Sequence, residues 1–194
     1  MIQKVAVIWD EPVLLTRLIE DCGHVCELIT PHLLAAPFFR RKLHGLVIPA
    51  GFASTPHTSI LASLRAVRAR IKRYVEEGGI LLVFGAGSDL HDPYDWLPVP
   101  ISYRYGFAMT TIKIHTKHPL VSIIEENVNE VSVDGFLGAV PDGGERTAIL
   151  EGTEGPIFIE IPWGNGLILV TSLHEYPSRC FVREFCARGG EGLL

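Results

Sequence analysis

Residues 78–89 read Gly-Gly-Ile-Leu-Leu-Val-Phe-Gly-Ala-Gly-Ser-Asp, and this stretch decides the fold. Its uninterrupted apolar run of strand length is typical of a strand buried on both faces of a parallel sheet. The double glycine before the run can end a helix, and the glycine turn after it opens toward a predicted helix. The stretch therefore predicts the central strand of an open α/β sheet.

The rest of the chain alternates strand and helix patterns around this centre. Residues 4–9 and 45–49 are further buried-strand runs, and residues 10–23 and 58–77 have apolar side chains at helical spacing, with Asp10 at the N-cap position. Later segments are short strands; residues 157–161 and 167–170, joined by Pro-Trp-Gly-Asn-Gly, predict an antiparallel hairpin with Asn-Gly turn chemistry. A mostly parallel sheet with a C-terminal antiparallel hairpin follows.

Composition limits the function classes. With 194 residues, 47% of them apolar, the chain can bury one substantial core, so we expect one domain over residues 1–188 and a frayed tail over residues 189–194. A net charge of −5 provides no basic field for nucleic acid. Because no apolar run reaches the roughly 20 residues of a membrane span and the start has no signal-peptide pattern, we expect a cytoplasmic protein without a membrane partner.

The four cysteines indicate neither disulfides nor a metal site. Cys22, Cys26, Cys180 and Cys186 could form two disulfides, but a chain of this size in a reducing compartment does not need them, so free thiols are expected. Neither pair has the two-residue gap that suits tetrahedral zinc. The sequence predicts no metal and no cofactor.

Three short motifs at predicted strand ends resemble the class I glutamine amidotransferase-like family. Residues 83–87, Val-Phe-Gly-Ala-Gly, resemble the family's Gly-x-Cys-x-Gly nucleophile elbow, with Gly85 in the cysteine's place. Residues 45–51 resemble the strand whose glycine turn contributes backbone N–H groups to an oxyanion hole, and Gly51 matches that glycine. The order of elements is similar over residues 1–188, which implies a flavodoxin-like three-layer α/β/α sandwich.

The third motif is only partly preserved. Residues 171–177, Thr-Ser-Leu-His-Glu-Tyr-Pro, resemble the strand end that carries the family's catalytic histidine and, two residues later, a glutamate. His174 matches the histidine, whereas Tyr176 occupies the glutamate position and Glu175 stands one residue early. Together with the missing thiol at Gly85, this departure implies a degenerate member without glutaminase activity. A glycine there would also relieve the positive φ that such an elbow imposes.

Strand ends in open α/β sheets converge on the ligand site, and glycines there leave backbone N–H groups approachable. We therefore expect a mouth that binds a small polar or anionic metabolite, or a partner protein. Its predicted residues are Gly51, Gly85, Gly87, Ser88, His174 and Glu175.

One alternative is a hydrolase that uses Ser88 or a water, with His174 as base and Glu175 as its orienting group. Ser88 is more typical of a helix N-cap. Residues 91–100, rich in proline, predict a surface excursion near the mouth, and the apolar hairpin around Trp163 suggests a homodimer contact.

Overall fold

The computed structural model describes residues 2–114, 118–125, 128–138 and 147–194. In these ranges twelve strands, β1 to β12, span Lys4–Ile8, Val25–Ile29, Lys42–Leu43, Gly45–Ile48, Ile80–Val83, Tyr103–Thr111, Lys113–Ile114, Glu130–Leu137, Thr147–Gly152, Gly155–Trp163, Gly166–Thr171 and Gly192–Leu193. Five α-helices, α1 to α5, span Leu14–Asp21, Pro31–Ala35, Ile60–Ala66, Arg68–Glu76 and Arg179–Arg188, and a 3-10 helix spans Pro119–Ile123.

Eight of the strands form one sheet in the order β2-β1-β4-β5-β11-β10-β9-β7. The first five of these pair in parallel, and the last three add antiparallel pairs. β5 lies between β4 and β11, and all four of its residues are buried. The predicted α/β class, with a mostly parallel central sheet and a C-terminal antiparallel hairpin, is confirmed.

Helices cover both faces of this sheet. Leu81 belongs to the core that α3 and α4 cover, for example through Leu64, whereas Leu82 belongs to the core that α1 and α5 cover, for example through Phe185. Neighbouring strand residues point to opposite faces, which is why one apolar run supplies both cores. The result is the three-layer sandwich.

The hairpin of β10 and β11 lies inside the sheet. β10 pairs with β9 on its other side and β11 with β5, so β7 is the outermost strand at that end. Gly164 takes a φ of +59° in the turn. The Trp163 Nε1–H donates to Glu76 Oε1 at 3.2 Å, and the Lys72 ammonium lies 5.5 Å from the indole centroid. Two side chains of α4 therefore contact Trp163, around which a dimer contact is predicted.

A second sheet, formed by β6 and β8, lies beside the carboxyl end of β11. The Asp134 N–H on β8 donates to the Ser172 carbonyl at 2.8 Å, and the His174 N–H donates to the Ser132 carbonyl at 3.0 Å. These bonds attach β8 to the segment after β11, and they bring Asp134 close to the predicted mouth.

Two predicted helices differ in detail. The first begins at Leu14 with Val13 as its N-cap, and Asp10 instead accepts a hydrogen bond from the Thr58 hydroxyl at 3.1 Å. The predicted helix over residues 58–77 is divided into α3 and α4 at Val67, which leaves helical dihedrals with φ −109° and ψ 14°. None of the helices in the described ranges is long and apolar enough to cross a membrane.

The segment after β5 is packed and not helical. No helix follows the glycine turn in the described residues before β6, so Ser88 is not a helix N-cap. The predicted surface excursion instead buries Tyr94 and Trp96, whose rings make edge contacts with Phe52 at centroid distances of 5.5 and 6.1 Å. Aromatic burial holds this proline-rich loop against the sheet.

The C-terminal residues 189–194, for which a frayed tail is predicted, form backbone pairings in the structure. β12 pairs with β3, and Leu194 exchanges backbone hydrogen bonds with Arg41 at 2.8 and 3.0 Å. The Leu194 side chain is fully buried. One apolar side chain and two backbone bonds hold the end of the chain in place.

Candidate functional site

The glycine turns after β4 and β5 touch each other through their backbones. The Gly51 N–H donates to the Gly85 carbonyl at 2.8 Å, and a Cβ on Gly87 would lie only 2.7 Å from the Gly51 Cα. Positive φ values occur at Gly51 (+83°) and Gly87 (+64°), not at Gly85. The predicted glycines therefore come together, but the left-handed position of the elbow is Gly87, and the expected strain relief at Gly85 is wrong.

The backbone at this turn forms hydrogen bonds within the protein. The Gly51 N–H donates to the Gly85 carbonyl, the Tyr94 hydroxyl donates to the Phe84 carbonyl at 3.2 Å, and the Tyr103 hydroxyl donates to the Asp134 carbonyl at 2.7 Å. Burial raises the pKa of Tyr94 well above 10 and also raises that of Tyr103, so both hydroxyls stay protonated. The Gly51 N–H, expected to be free for an anion, is therefore engaged by the Gly85 carbonyl.

His174 is held by a partner that the sequence interpretation missed. Its Nδ1 lies 2.9 Å from Asp134 Oδ1, and the exposed fractions of the two side chains are 57% and 12%. The Tyr103 hydroxyl donates to the Asp134 carbonyl at 2.7 Å, which fixes the backbone at this position. When Nδ1 carries the proton toward Asp134, Nε2 is left as an acceptor.

The signal for Asp134 was a carboxylate in an otherwise apolar strand pattern. The side chains of Val131 and Val133 on β8 point into the hydrophobic core, and Asp134 is the next residue along the strand. Ordinary strand aspartates share this pattern, so it assigns Asp134 no role. Its role emerges only because β8 pairs with the residues around His174.

Glu175 does not orient His174, contrary to the alternative drawn from the sequence. Its Oε1 accepts a hydrogen bond from the Ser132 N–H at 2.8 Å. The Glu175 carboxylate thus binds the β8 backbone, and Asp134 is the residue that orients the His174 imidazole.

Ser88 is not joined to His174. Its hydroxyl accepts from the Leu90 N–H at 3.3 Å, and no hydrogen bond links the two side chains in the described part of the chain. A serine nucleophile activated by His174 is therefore not assembled in this structure.

The space beside Gly85 is taken by Asp134. A Cβ built on Gly85 would lie 3.0 Å from the Asp134 Cβ, 3.2 Å from its Oδ2 and 3.5 Å from the Tyr103 hydroxyl. A side chain at this elbow position would need these neighbours to move. The absence of a thiol and the position of Asp134 are therefore structurally linked.

A cavity of about 280 Å³ opens beside His174 at the carboxyl ends of β1, β4, β5 and β11. Its walls are Trp9, Val13, Leu15, Pro49, Ala50, Phe84, His174, Glu175 and Tyr176. Of the six predicted site residues, His174 and Glu175 line it, whereas Gly51, Gly85, Gly87 and Ser88 do not. The cavity is mostly apolar, and its ionisable side chains are those of His174, Glu175 and Tyr176.

A larger cavity, of about 690 Å³, shares Glu175 and Tyr176 with the first. Leu18 of α1 and Ile123 of the 3-10 helix contribute to its apolar walls. A ligand too long for the first cavity has room to extend in this direction.

The cysteines lie away from the mouth. Burial raises the pKa of Cys26 and of Cys186 to about 12, with charge interactions among nearby groups adding to the shift. No cysteine forms a disulfide, and the described residues contain no group of three or more histidine, cysteine or carboxylate side chains placed to hold a metal.

Comparisons with known proteins identify the fold. A scan against protein-family models finds no match, and a search of curated proteins finds none either. Among solved structures, a protein from Thermoplasma acidophilum described as a GMP synthase component superposes with a TM-score of 0.63 at 15% identity, over 96% of this chain and 94% of that one.

Two further structures show the range of proteins that share this fold. PurLQS from Thermotoga maritima superposes with a TM-score of 0.62 at 10% identity, over 96% of this chain and 98% of that one. A β-galactosidase from Bacillus circulans sp. alkalophilus gives 0.56 at 12% identity, over 96% of this chain and 30% of that one. At such low identity the likeness shows a glutamine amidotransferase-like fold and nothing of activity.

Proposed function

We propose that this chain is a non-catalytic relative of the glutamine amidotransferases that binds a small polar ligand in the cavity beside His174. The observation that carries the proposal is the placement of Asp134. Its side chain occupies the space next to Gly85, where a nucleophile would project, and it holds His174 at the cavity wall.

Glutamine hydrolysis by this fold needs a thiolate beside a base, with donors ready for the oxyanion. Gly85 supplies no thiol, and the Gly51 N–H already binds the Gly85 carbonyl. The nucleophile is thus missing, and one backbone donor beside it is already engaged.

The cavity walls indicate the kind of ligand. Trp9 and Phe84 offer apolar surface for the body of a small molecule, and the His174 imidazole offers one directed hydrogen bond. No lysine or arginine lines this cavity, so His174 is the one lining side chain that can carry a positive charge toward an acidic ligand. A volume of about 280 Å³ suits a small metabolite.

A second candidate is a hydrolase that activates water. The 2.9 Å contact between His174 and Asp134 favours it, because an imidazole oriented in this way can accept a proton from water at Nε2. In this version Asp134 replaces Glu175 as the orienting group, and Ser88 has no part. The engaged Gly51 N–H argues against it, since a developing oxyanion would lack that donor.

The test is a thermal-shift screen with a panel of carboxylic acids, amides, amino acids and nucleotides. A ligand at a hundred times its dissociation constant stabilises the folded chain by about 2.7 kcal/mol, a shift of several degrees for a chain of this length. We expect a hit whose shift is lost in Ala50→Trp, which fills the cavity, and in His174→Ala. The control His91→Ala, an exposed histidine outside the cavity, should keep the shift.

Three outcomes separate the candidate functions. A hit that binds unchanged to Ala50→Trp places the site elsewhere and contradicts the proposal. A hit that is hydrolysed by the wild type but not by Asp134→Asn or His174→Ala replaces it with the water-activating enzyme. If no compound shifts the midpoint, the small-ligand proposal fails and a partner protein at the mouth becomes the remaining version.

A further inference from the structure

The outer strand β6 exposes a row of apolar side chains beside the mouth. Tyr105, Phe107 and Met109 have exposed fractions of 47%, 64% and 59%. They alternate along β6, which pairs with β8 on one side and with no other strand of the described chain. We call these three residues the β6 stripe. Three neighbouring large apolar side chains left in water are a feature of interaction surfaces.

The stripe continues into the candidate site. The Phe107 ring makes an edge contact with the His174 imidazole at a centroid distance of 5.4 Å. Tyr176, which lines the cavity, has an exposed fraction of 58%. Leu14, the neighbour of the lining residue Val13, has an exposed fraction of 64%. Whatever covers the stripe therefore lies at the entrance to the cavity.

Charge decides which exposed apolar patch can meet a second copy of itself. Arg104, the charged residue within β6, is paired with Glu154. Two stripes can therefore approach about a two-fold axis without opposing like charges.

The most exposed aromatic residue, Phe38, stands in the opposite situation. It is 95% exposed, and the next residue, Phe39, has two arginines at its backbone. The Arg40 and Arg70 guanidinium groups both donate to the Phe39 carbonyl, at 2.7 and 3.2 Å, which places two positive charges close together. A two-fold contact there would bring two such clusters face to face, so this patch is not self-complementary.

We propose that two copies of the chain associate through the β6 stripe about a two-fold axis near Phe107, and that the contact covers the entrance to the His174 cavity. Across such an axis Phe107 meets its own symmetry mate, and Tyr105 lies opposite Met109 of the second copy. The register shift between Tyr105 and Ala108 bends the strand, so the contact is made by side chains and not by a continuous sheet. This inference needs no ligand and does not rest on the proposed function.

The experiment measures mass by light scattering after size exclusion, from 1 to 100 μM loaded protein. The wild type should have twice the 21.4 kDa of one chain. Phe107→Lys places two like charges at the axis and should raise the dimer dissociation constant at least 100-fold. Phe38→Lys is the matched control, because it changes the same residue type on the other patch and should leave the dimer intact.

A cross-linking arm keeps the test independent of stability. Phe107→Cys should form a disulfide-linked dimer under mild oxidation with copper-phenanthroline, well above the background of the wild type with its exposed Cys180. Phe38→Cys should stay at that background. A wild type that is monomeric at 100 μM, a dimer that survives Phe107→Lys in a folded variant, or equal cross-linking of the two cysteine variants would overturn the proposal.

Discussion

At the scale of single residues, Gly85 and Asp134 form one unit. A Cβ on Gly85 would approach the Asp134 Cβ to 3.0 Å, and Asp134 in turn holds His174 at 2.9 Å. The glycine is required by the side chain above it and not by its own φ, which is not positive. Restoring a thiol therefore also disturbs the group that orients the histidine.

Gly85→Cys should leave ammonia release from glutamine at background and lower the free energy of unfolding by about 1–3 kcal/mol through overpacking. Gly106→Cys is the matched control, because a Cβ there meets nothing within 4 Å. Urea unfolding and a coupled ammonia assay measure the two effects. Strong glutaminase activity in Gly85→Cys would mean that Asp134 moves aside and that Glu175 can serve from its shifted position.

At the scale of elements, the short pairing of β12 with β3 closes the chain against α4. The Leu194 backbone bonds Arg41 in both directions, and the Leu193 N–H donates to Glu77 at the end of α4. Leu194 is fully buried, whereas Leu193 is 39% exposed. Leu193 ends β12 and Leu194 follows it, so the two adjacent side chains point to opposite sides and only Leu194 belongs to the core.

Leu194→Ala should lower the free energy of unfolding by about 2–4 kcal/mol, because it removes a fully buried leucine. Leu193→Ala, the neighbouring control, should lower it by less than about 1 kcal/mol. Denaturant unfolding of the two variants and the wild type measures the difference. Equal and small losses would mean that the end of the chain frays in solution.

At the scale of the whole molecule, helices cover both faces of the sheet, and the thiols of Cys26 and Cys186 belong to the core under α1 and α5. Cys186 is fully buried, and burial raises its pKa and that of Cys26 from 9 to about 12. Above pH 9 the unfolded chain releases these protons while the folded chain keeps them. Folding stability therefore falls as the pH rises through this window.

Between pH 9 and 10 the loss attributable to Cys186 should be at most about 1.4 kcal/mol. Cys186→Ala should show a shallower fall in the free energy of unfolding over this interval than the wild type, whatever its stability at pH 7. Cys180→Ala, at an exposed position, is the control and should keep the wild-type slope. Parallel slopes for all three proteins would contradict the burial of the Cys186 thiol.

The sequence by itself determined the layer architecture and the identity of the central strand. Apolar runs such as Ile80–Val83 and the helical spacing of their neighbours are local periodicities, and burial on both faces follows from them directly. The resemblance of three strand ends also located Gly51, Gly85 and His174 at one side of the sheet, because parallel strands carry their carboxyl ends to one edge.

Only the tertiary structure decided what occupies that edge. Asp134 lies 40 residues from His174 and reaches it because β8 pairs with the segment after β11. The Tyr103 hydroxyl donates to the Asp134 carbonyl for the same reason, since 31 residues separate the two along the chain. Local pattern encodes which face a side chain points to, whereas the partner it meets depends on strand pairings far apart in the chain.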